Sequence, residues 1–296
     1  LAIGIKPNDE VIIPNRTWIA TAHAVKLLGA RVIPIDVDKH IPLINVNKIE
    51  AAINKNTKAI IAVHMNGRDG QITSIKKIAR KYNLNVIEDA AQAIGSKNKF
   101  GMLGTQSDIG CFSLSTAKTI ASGQGGFSVT NNKILAKKLY AIRTHGVEQV
   151  KNPKQWNMLG FNFRYSDILA SIAIVQLNKI ERRIKHLKEI YLIYEKELKN
   201  TDFKNIPVNI SYGEVPVYIE YLVPSRRQHW INYLNSKNID TRPFYPNVSS
   251  ASYLHTSMNK RLNSSLFEKK GIYLPSGPTQ SKENVFSCIN AIKEYI

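Results

Sequence analysis

KAIIAVHMNGRDGQITSIKKIARKYNLNVIED, residues 58–89, contains two apolar runs separated by an amphipathic one. KAIIAVHM and LNVIED are short and rich in Ile, Val and Ala, as buried strands are. ITSIKKIARKYN between them suits a helix with one apolar face. Its Thr73 stands where a capping hydroxyl would sit, and basic residues and Asn83 close it. Strand, helix, strand in this order is the unit of a parallel sheet. The same alternation extends outward. EVIIP, ARVIPID, IGCFSL and GFSVT supply further strands between residues 10 and 130, and IATAHAVKLLG and INVNKIEAAIN are helix-compatible. The glycine in KLLGA marks a helix stop. The fold class expected is α/β with a mostly parallel, covered sheet.

Beyond residue 164 the texture changes. YSDILASIAIVQLNKIERRIKHLKEIYLIYEKELK keeps helical spacing for many turns, apolar nearly all round at first and amphipathic later. It reads as a connector between domains, or as two helices with a kink. After residue 200, GEVPVYIEYLV suggests a strand, RRQHWINYLNSKN a helix, and TRPFYPN and YLPSGPTQ proline-rich turns. Residues 1–170 are thus expected to form a large domain, 171–200 a connecting helix, and 201–296 a smaller C-terminal α/β domain.

The 296 residues are 43% hydrophobic and 21% charged, an ordinary globular composition, and no apolar run nears the roughly 20 residues of a membrane helix. Only two cysteines occur, Cys111 and Cys288, in apolar surroundings that suggest reduced core thiols and a cytoplasmic location. The chain opens on LAIGIKPNDEVIIP, which is no signal peptide and reads as the end of a helix turning into a strand, so an upstream segment is expected. The net charge of +19 attracts anions. Yet the lysines are spread throughout, and stretches such as KNPKQW and KHLKEIYLIYEKELKN read as solvated faces. No nucleic-acid motif accompanies the charge.

Chemistry concentrates at strand ends, where ligands collect in open α/β sheets. CFSLSTAKTIASGQGGFSVT, residues 111–130, places a lone Lys118 among small and hydroxylated residues, Ser113 included, in a loop between two strands. NVIEDAAQAIG ends a strand on Glu88 and Asp89 and puts Gln92 about one turn later; an acid there also suits a simple helix cap. Trp18 in IIPNRTWIATA is either a core aromatic or a flat stacking surface. An amine, a carboxylate, an aromatic plane and hydroxyl or amide donors are together what pyridoxal phosphate requires. The carboxylate keeps the ring nitrogen protonated, so the ring draws electrons from the bond to be broken. His64, His145, Trp230 and Tyr253 fit ordinary packing or backbone-satisfied positions, Gly125 and Gly126 fit a tight turn, and no Cys/His cluster suggests a metal.

On these pieces and on VHMNGRDG, RTHG, LGFNFRYSDILASI and GIYLPSGP, in this order, the sequence resembles the DegT/DnrJ/EryC1/StrS aminotransferases, which act on nucleotide-linked keto sugars. The resemblance implies an aspartate-aminotransferase-type (fold type I) large domain, pyridoxal 5'-phosphate as cofactor, and a homodimer sharing its active sites. It further implies a nucleoside-diphosphate keto sugar as acceptor, an amino acid such as glutamate as donor, and a step in polysaccharide or O-antigen assembly. By the same resemblance Lys118 would bond covalently to the cofactor and shuttle a proton. Asp89 would pair with the ring nitrogen, Gln92 with the phenolic oxygen, Trp18 with the ring face and Ser113 with the phosphate. Asn162 would reach the neighbouring subunit's cofactor phosphate, and Arg164 the substrate end of that pocket. Two departures from the family pattern accompany the resemblance: its Ser-Gly-Thr phosphate segment is absent ahead of LAIGIKPNDEVI, and Gln124 replaces a usual Glu. Lys118 stands where the family's sugar dehydratases carry His, which by the same resemblance disfavours a dehydratase. A non-catalytic remnant of the family is the second reading, and a basic nucleic-acid binder the third.

Overall fold

The computed structural model describes residues 1–151, 156, 158–256 and 262–295. Its larger sheet has six strands: β1 (Glu10–Pro14), β2 (Arg31–Ile35), β3 (Thr57–Val63), β4 (Asn85–Asp89), β7 (Ile109–Ser113) and β8 (Gly126–Val129), in the order β2-β1-β3-β4-β7-β8. The first five run parallel, and β8 closes the sheet antiparallel to β7. A hairpin of β5 (Lys97–Asn98) and β6 (Gly101–Met102) lies between β4 and β7 in sequence.

The apolar runs of β1 and β3 are continuous because both faces of these strands are covered. Side chains alternate along a strand. Val11, Ile13, Ala59 and Ile61 face α1 (Ala20–Lys26), while Ile12, Ile60 and Ala62 face α2 (Ile72–Lys81) through Ile72, Ile75 and Ala79. Gly29 follows α1 at φ +72°, a conformation that suits glycine. Two expectations for this half are corrected. Thr73 does not cap α2: the helix begins at Ile72, whose N–H is accepted by Asp69 Oδ1. INVNKIEAAIN forms only two 3-10 turns, Val46–Lys48 and Glu50–Ala52, the first begun by the Asn45 side chain accepting from Asn47 N–H. Such asparagine bonds compete with helix.

The C-terminal half follows α3 (Lys133–Arg143). The long helical stretch is two helices, α4 (Asp167–Leu177) and α5 (Ile180–Glu197), broken at Asn178–Lys179. Leu187, Ile190, Tyr191 and Tyr194 of α5 pack into a core with α6 (Arg227–Ser236), α8 (Lys282–Tyr295) and an antiparallel sheet. That sheet has the order β11-β12-β10-β9, from β9 (Lys204–Asn205), β10 (Ile219–Leu222), β11 (Arg242–Pro243) and β12 (Gly271–Leu274), which follows α7 (Asn263–Lys270). Trp230 and Cys288 belong to this core. Tyr253 does not; it is exposed, and its hydroxyl meets His23 Nε2 of α1 at 2.6 Å. Cys111 is also not core, being half-buried near the end of β7. The solvated face read into KNPKQW falls largely on residues 152–155, outside the described residues. Among the described residues no helix is long and apolar enough to cross a membrane.

One buried loop ties the two sheets together. Arg68, with no exposed surface, donates from Nη1 to Glu220 Oε2 of β10 at 2.6 Å, from Nε to Pro207 O at 2.7 Å and from Nη2 to Ile206 O at 2.8 Å. Gly67 precedes it at φ +76°, where a Cβ would lie 1.9 Å from the carbonyl oxygen of Val215. The close approach of the two chain segments requires glycine.

Candidate active site

β4 and β7 deliver the central residues. Asp89 is the last residue of β4, level with Val63 of β3 and Cys111 of β7, at the carboxyl edge of the sheet. Its Oδ2 accepts from Thr21 Oγ1 at 2.6 Å and its Oδ1 from Ala91 N–H at 3.1 Å. Because the Thr21 proton is committed to Asp89, the 2.9 Å contact between Thr21 and Thr17 must be donated by Thr17. A chain of two hydroxyls therefore orients the carboxylate. Residues 91–95 are turns and not the helix that a simple capping role for Asp89 would need.

Lys118 is half-buried in the loop between β7 and β8. Burial pulls its ammonium below the ordinary lysine range, and the nearby Asp89 carboxylate offsets part of that pull. A lowered lysine is more often neutral, which an amine nucleophile needs. The loop is held on both sides of the lysine: Tyr218 Oη donates to Ala117 O at 3.2 Å, and Arg183 Nη1 donates to Thr119 O at 3.0 Å. Further on, Gly125 adopts φ +113°, and a Cβ there would meet the Tyr165 ring at 2.3 Å. The Tyr165 hydroxyl meets Ser122 Oγ, and Ser122 donates to Gln124 O at 3.0 Å.

The remaining expected residues divide into two groups. Gln92 lies beside the Asp89 turn, and its Oε1 accepts from Asn66 N–H at 2.8 Å. Trp18 is 57% exposed, so it is not a core aromatic; Tyr245 meets its ring edge-on at 5.6 Å between centroids. Ser113 ends β7, and its Oγ accepts from Ser115 N–H at 3.3 Å, at the start of the lysine loop. Asn162 and Arg164 form the second group. Both are exposed on a strap outside the large sheet, where Arg164 Nε donates to Asn162 Oδ1 at 2.8 Å and Asn162 bridges Thr144.

His64 is structural. Its Nδ1 accepts from Gly70 N–H at 2.9 Å, so its proton is on Nε2, which donates to the buried Glu88 at 2.8 Å. Burial alone would raise the Glu88 carboxyl. The bonds from His64, Gly104 N–H and Gln106 N–H outweigh it and hold the group below the usual glutamate range. The residues that reading the sequence missed are Thr21, Asn66 and Tyr218. Thr17 and Thr21 stand four apart, a spacing that could have suggested the hydroxyl chain; the other two act over long sequence distances and leave no local signal.

The structure thus sets the Lys118 loop near the strand-end carboxylate of Asp89, on a mostly parallel sheet joined to a smaller antiparallel one. The profile of the DegT/DnrJ/EryC1/StrS aminotransferase family matches residues 1–293, and the chain belongs to that family. It is a pyridoxal-phosphate-dependent sugar aminotransferase. GDP-perosamine synthase of Escherichia coli O157:H7 is 35% identical, with 100% of this chain and 81% of that protein covered. The Vibrio cholerae GDP-perosamine synthase is 30% identical, with 99% and 82% covered. Among solved structures, DesV of S. venezuelae superposes with a TM-score of 0.93 at 25% identity, covering 99% of this chain and 80% of that one. A DegT DnrJ EryC1 StrS aminotransferase from Brucella abortus gives 0.91 at 28% identity, with 99% and 80% covered.

Proposed function

We propose that this enzyme moves an amino group from an amino acid, with glutamate as donor, to a nucleotide-linked keto sugar, and that a GDP-linked 4-keto-6-deoxyhexose is the acceptor. The reaction reading is carried by Lys118: a half-buried amine with a lowered pKa beside the fixed carboxylate of Asp89. The acceptor is suggested by the GDP-perosamine synthases that share about a third of the sequence.

The residues present fit pyridoxal phosphate. Asp89 offers lone pairs beyond those used by Thr21 and Ala91, Gln92 presents its amide nitrogen, and Trp18 presents an open ring face. When bound, the cofactor supplies an electron-withdrawing ring that stabilises negative charge on the carbon next to the reacting amine. In this reading Lys118 Nζ would hold the cofactor and move the proton at that carbon. Asp89 would pair with the ring nitrogen and keep it protonated, Gln92 Nε2 would donate to the phenolic oxygen, Ser113 would bind the phosphate, and Trp18 would cover one face of the ring and exclude water. Asp89→Asn leaves the shape and removes the charge. It is expected to lower kcat about 10²–10³-fold, the usual size of a lost electrostatic contact at a reacting centre, with little change in Tm; an unchanged kcat would exclude the pairing.

We also assign residues 1–170, 171–200 and 201–296 to a large domain, a connector and a small domain, and place the enzyme in the cytoplasm as a homodimer. The dimer is supported by an exposed apolar surface. α4 has no buried residue, Ile168 is 75% exposed, and the stacked pair Phe161 and Phe163 stands beside it. A patch of this kind is normally covered by a partner, and a second copy would receive Asn162 and Arg164 at its own pocket. The test of function is direct. The chain is incubated with pyridoxal phosphate, glutamate and the GDP-linked 4-keto-6-deoxyhexose, and the products are weighed by mass spectrometry. The amino sugar nucleotide and 2-oxoglutarate are expected in equal amounts; 2-oxoglutarate without the amino sugar would reject the acceptor and keep the transaminase reading.

A further inference from the structure

The loop His64–Gly70 lies between the two sheets, and Asn66 within it bonds to Gln92 on one side and to residues 217–218 on the other. Asn66 is fully buried and adopts φ +54°, ψ +36°. This left-handed conformation is one that asparagine tolerates better than most residues. The backbone N–H of Asn66 and both polar atoms of its side chain are engaged. Its backbone N–H donates to Gln92 Oε1 at 2.8 Å. Its Oδ1 accepts from Val217 N–H at 2.8 Å and from Tyr218 N–H at 2.7 Å, and its Nδ2 donates to Tyr218 O at 3.0 Å.

Two consequences follow from donor and acceptor chemistry. A backbone N–H can pair only with the oxygen end of a glutamine amide, so Asn66 determines which way the Gln92 amide is turned and leaves the NH₂ end to meet a ligand. The three side-chain bonds hold residues 217–218 just ahead of β10, and Tyr218 then reaches across to the carbonyl of Ala117, immediately before Lys118. Burial raises the Tyr218 hydroxyl above its ordinary value, so it stays protonated and able to donate. The Tyr273 ring, 5.3 Å away and edge-on, supports the Tyr218 ring.

We propose that Asn66 is a positioning residue that holds the Lys118 loop and Gln92 in one register, acting on the lysine through Tyr218. The inference rests on the cofactor reading given above. Asn66 does not touch the reacting atoms; it holds Gln92, 26 residues away in sequence, directly, and the Lys118 loop through Tyr218, 152 residues away.

The experiment uses stopped-flow mixing of the cofactor-free chain with pyridoxal phosphate, following the visible absorbance that Lys118 generates on capture. Asn66→Gly keeps the left-handed backbone and the bond to Gln92 but removes the side chain. It is expected to slow capture about ten- to a hundredfold, the usual penalty of a small misplacement of a reacting group. Tyr218→Phe, which removes only the hydroxyl, is expected to slow it to a similar degree. The Asn66→Gly/Tyr218→Phe double variant is expected to be no slower than the worse single, because both remove the same tie. Asn66→Asp retains an oxygen acceptor for both N–H groups and is expected to recover much of the rate. Thermal melts of each variant identify any that fail to fold, and Tyr218→Phe, which deletes one hydroxyl, carries the test if Asn66→Gly does not fold. Unchanged capture in the singles, multiplicative losses in the double, or no recovery in Asn66→Asp would overturn the proposal while leaving the cofactor reading intact. A wild-type chain with no Lys118-dependent absorbance would overturn both.

Discussion

Replacing Lys118 with alanine is expected to lower transamination roughly 10⁴-fold, the upper end of what a positioned acid–base group supplies, and to abolish the visible absorbance of the cofactor-loaded protein. The argument rests on position. The ammonium is drawn below its ordinary range by burial and faces a carboxylate whose orientation is set by Thr17 and Thr21. The carbonyls on either side of the lysine, those of Ala117 and Thr119, each accept from a distant side chain. Lys118→Arg keeps a positive charge but not a titratable amine, so it should be as inactive as the alanine variant. Full activity in either variant, or a persisting absorbance band in Lys118→Ala, would move the chemistry to another residue.

The largest expected effect on stability belongs to Glu220→Ala, which strands Arg68. The pair is buried on both sides, and removing one member of such a pair typically costs about 3–5 kcal/mol. The remaining guanidinium keeps its bonds to Pro207 O and Ile206 O, but its charge has no carboxylate left. An apolar replacement of both members, Arg68→Met with Glu220→Leu, removes the stranded charge but leaves those two carbonyls without a donor, about 1–3 kcal/mol each. The double variant should therefore recover only part of the loss. Denaturant unfolding of the two variants checks the order; a Glu220→Ala protein within about 1 kcal/mol of wild type would show that water reaches Arg68, since paired surface charges are worth that little.

The large sheet was legible because its signal is local. A buried parallel strand needs a continuous apolar run, and five such runs between residues 10 and 130 form the parallel strands; the sixth, GFSVT, forms the antiparallel and more exposed β8. Asp89 and Lys118 drew attention for a related reason: Asp89 ends β4, and Lys118 stands in the polar loop that follows β7, where polar side chains have a reason to be. The β5–β6 hairpin was missed because Lys97, Asn98 and Gly101 carry no apolar alternation. The character of α4 could not be read either. Periodicity reports that a helix is apolar and cannot tell whether its own chain or another covers it, and here the described residues leave α4 without a buried residue. Asn66, Tyr218 and Glu220 remained invisible because their partners stand far away in sequence and meet them only after the two sheets have docked.

The ring of Tyr165 sits in the space left by the missing side chain of Gly125, and its hydroxyl meets Ser122. The strap bearing Asn162 and Arg164 is thereby rooted in the wall of its own lysine pocket, like a lever whose fulcrum is a glycine. Any substitution that lifts this turn also swings the outer end, so a change engineered for one compartment will leave its mark on the surface beyond it.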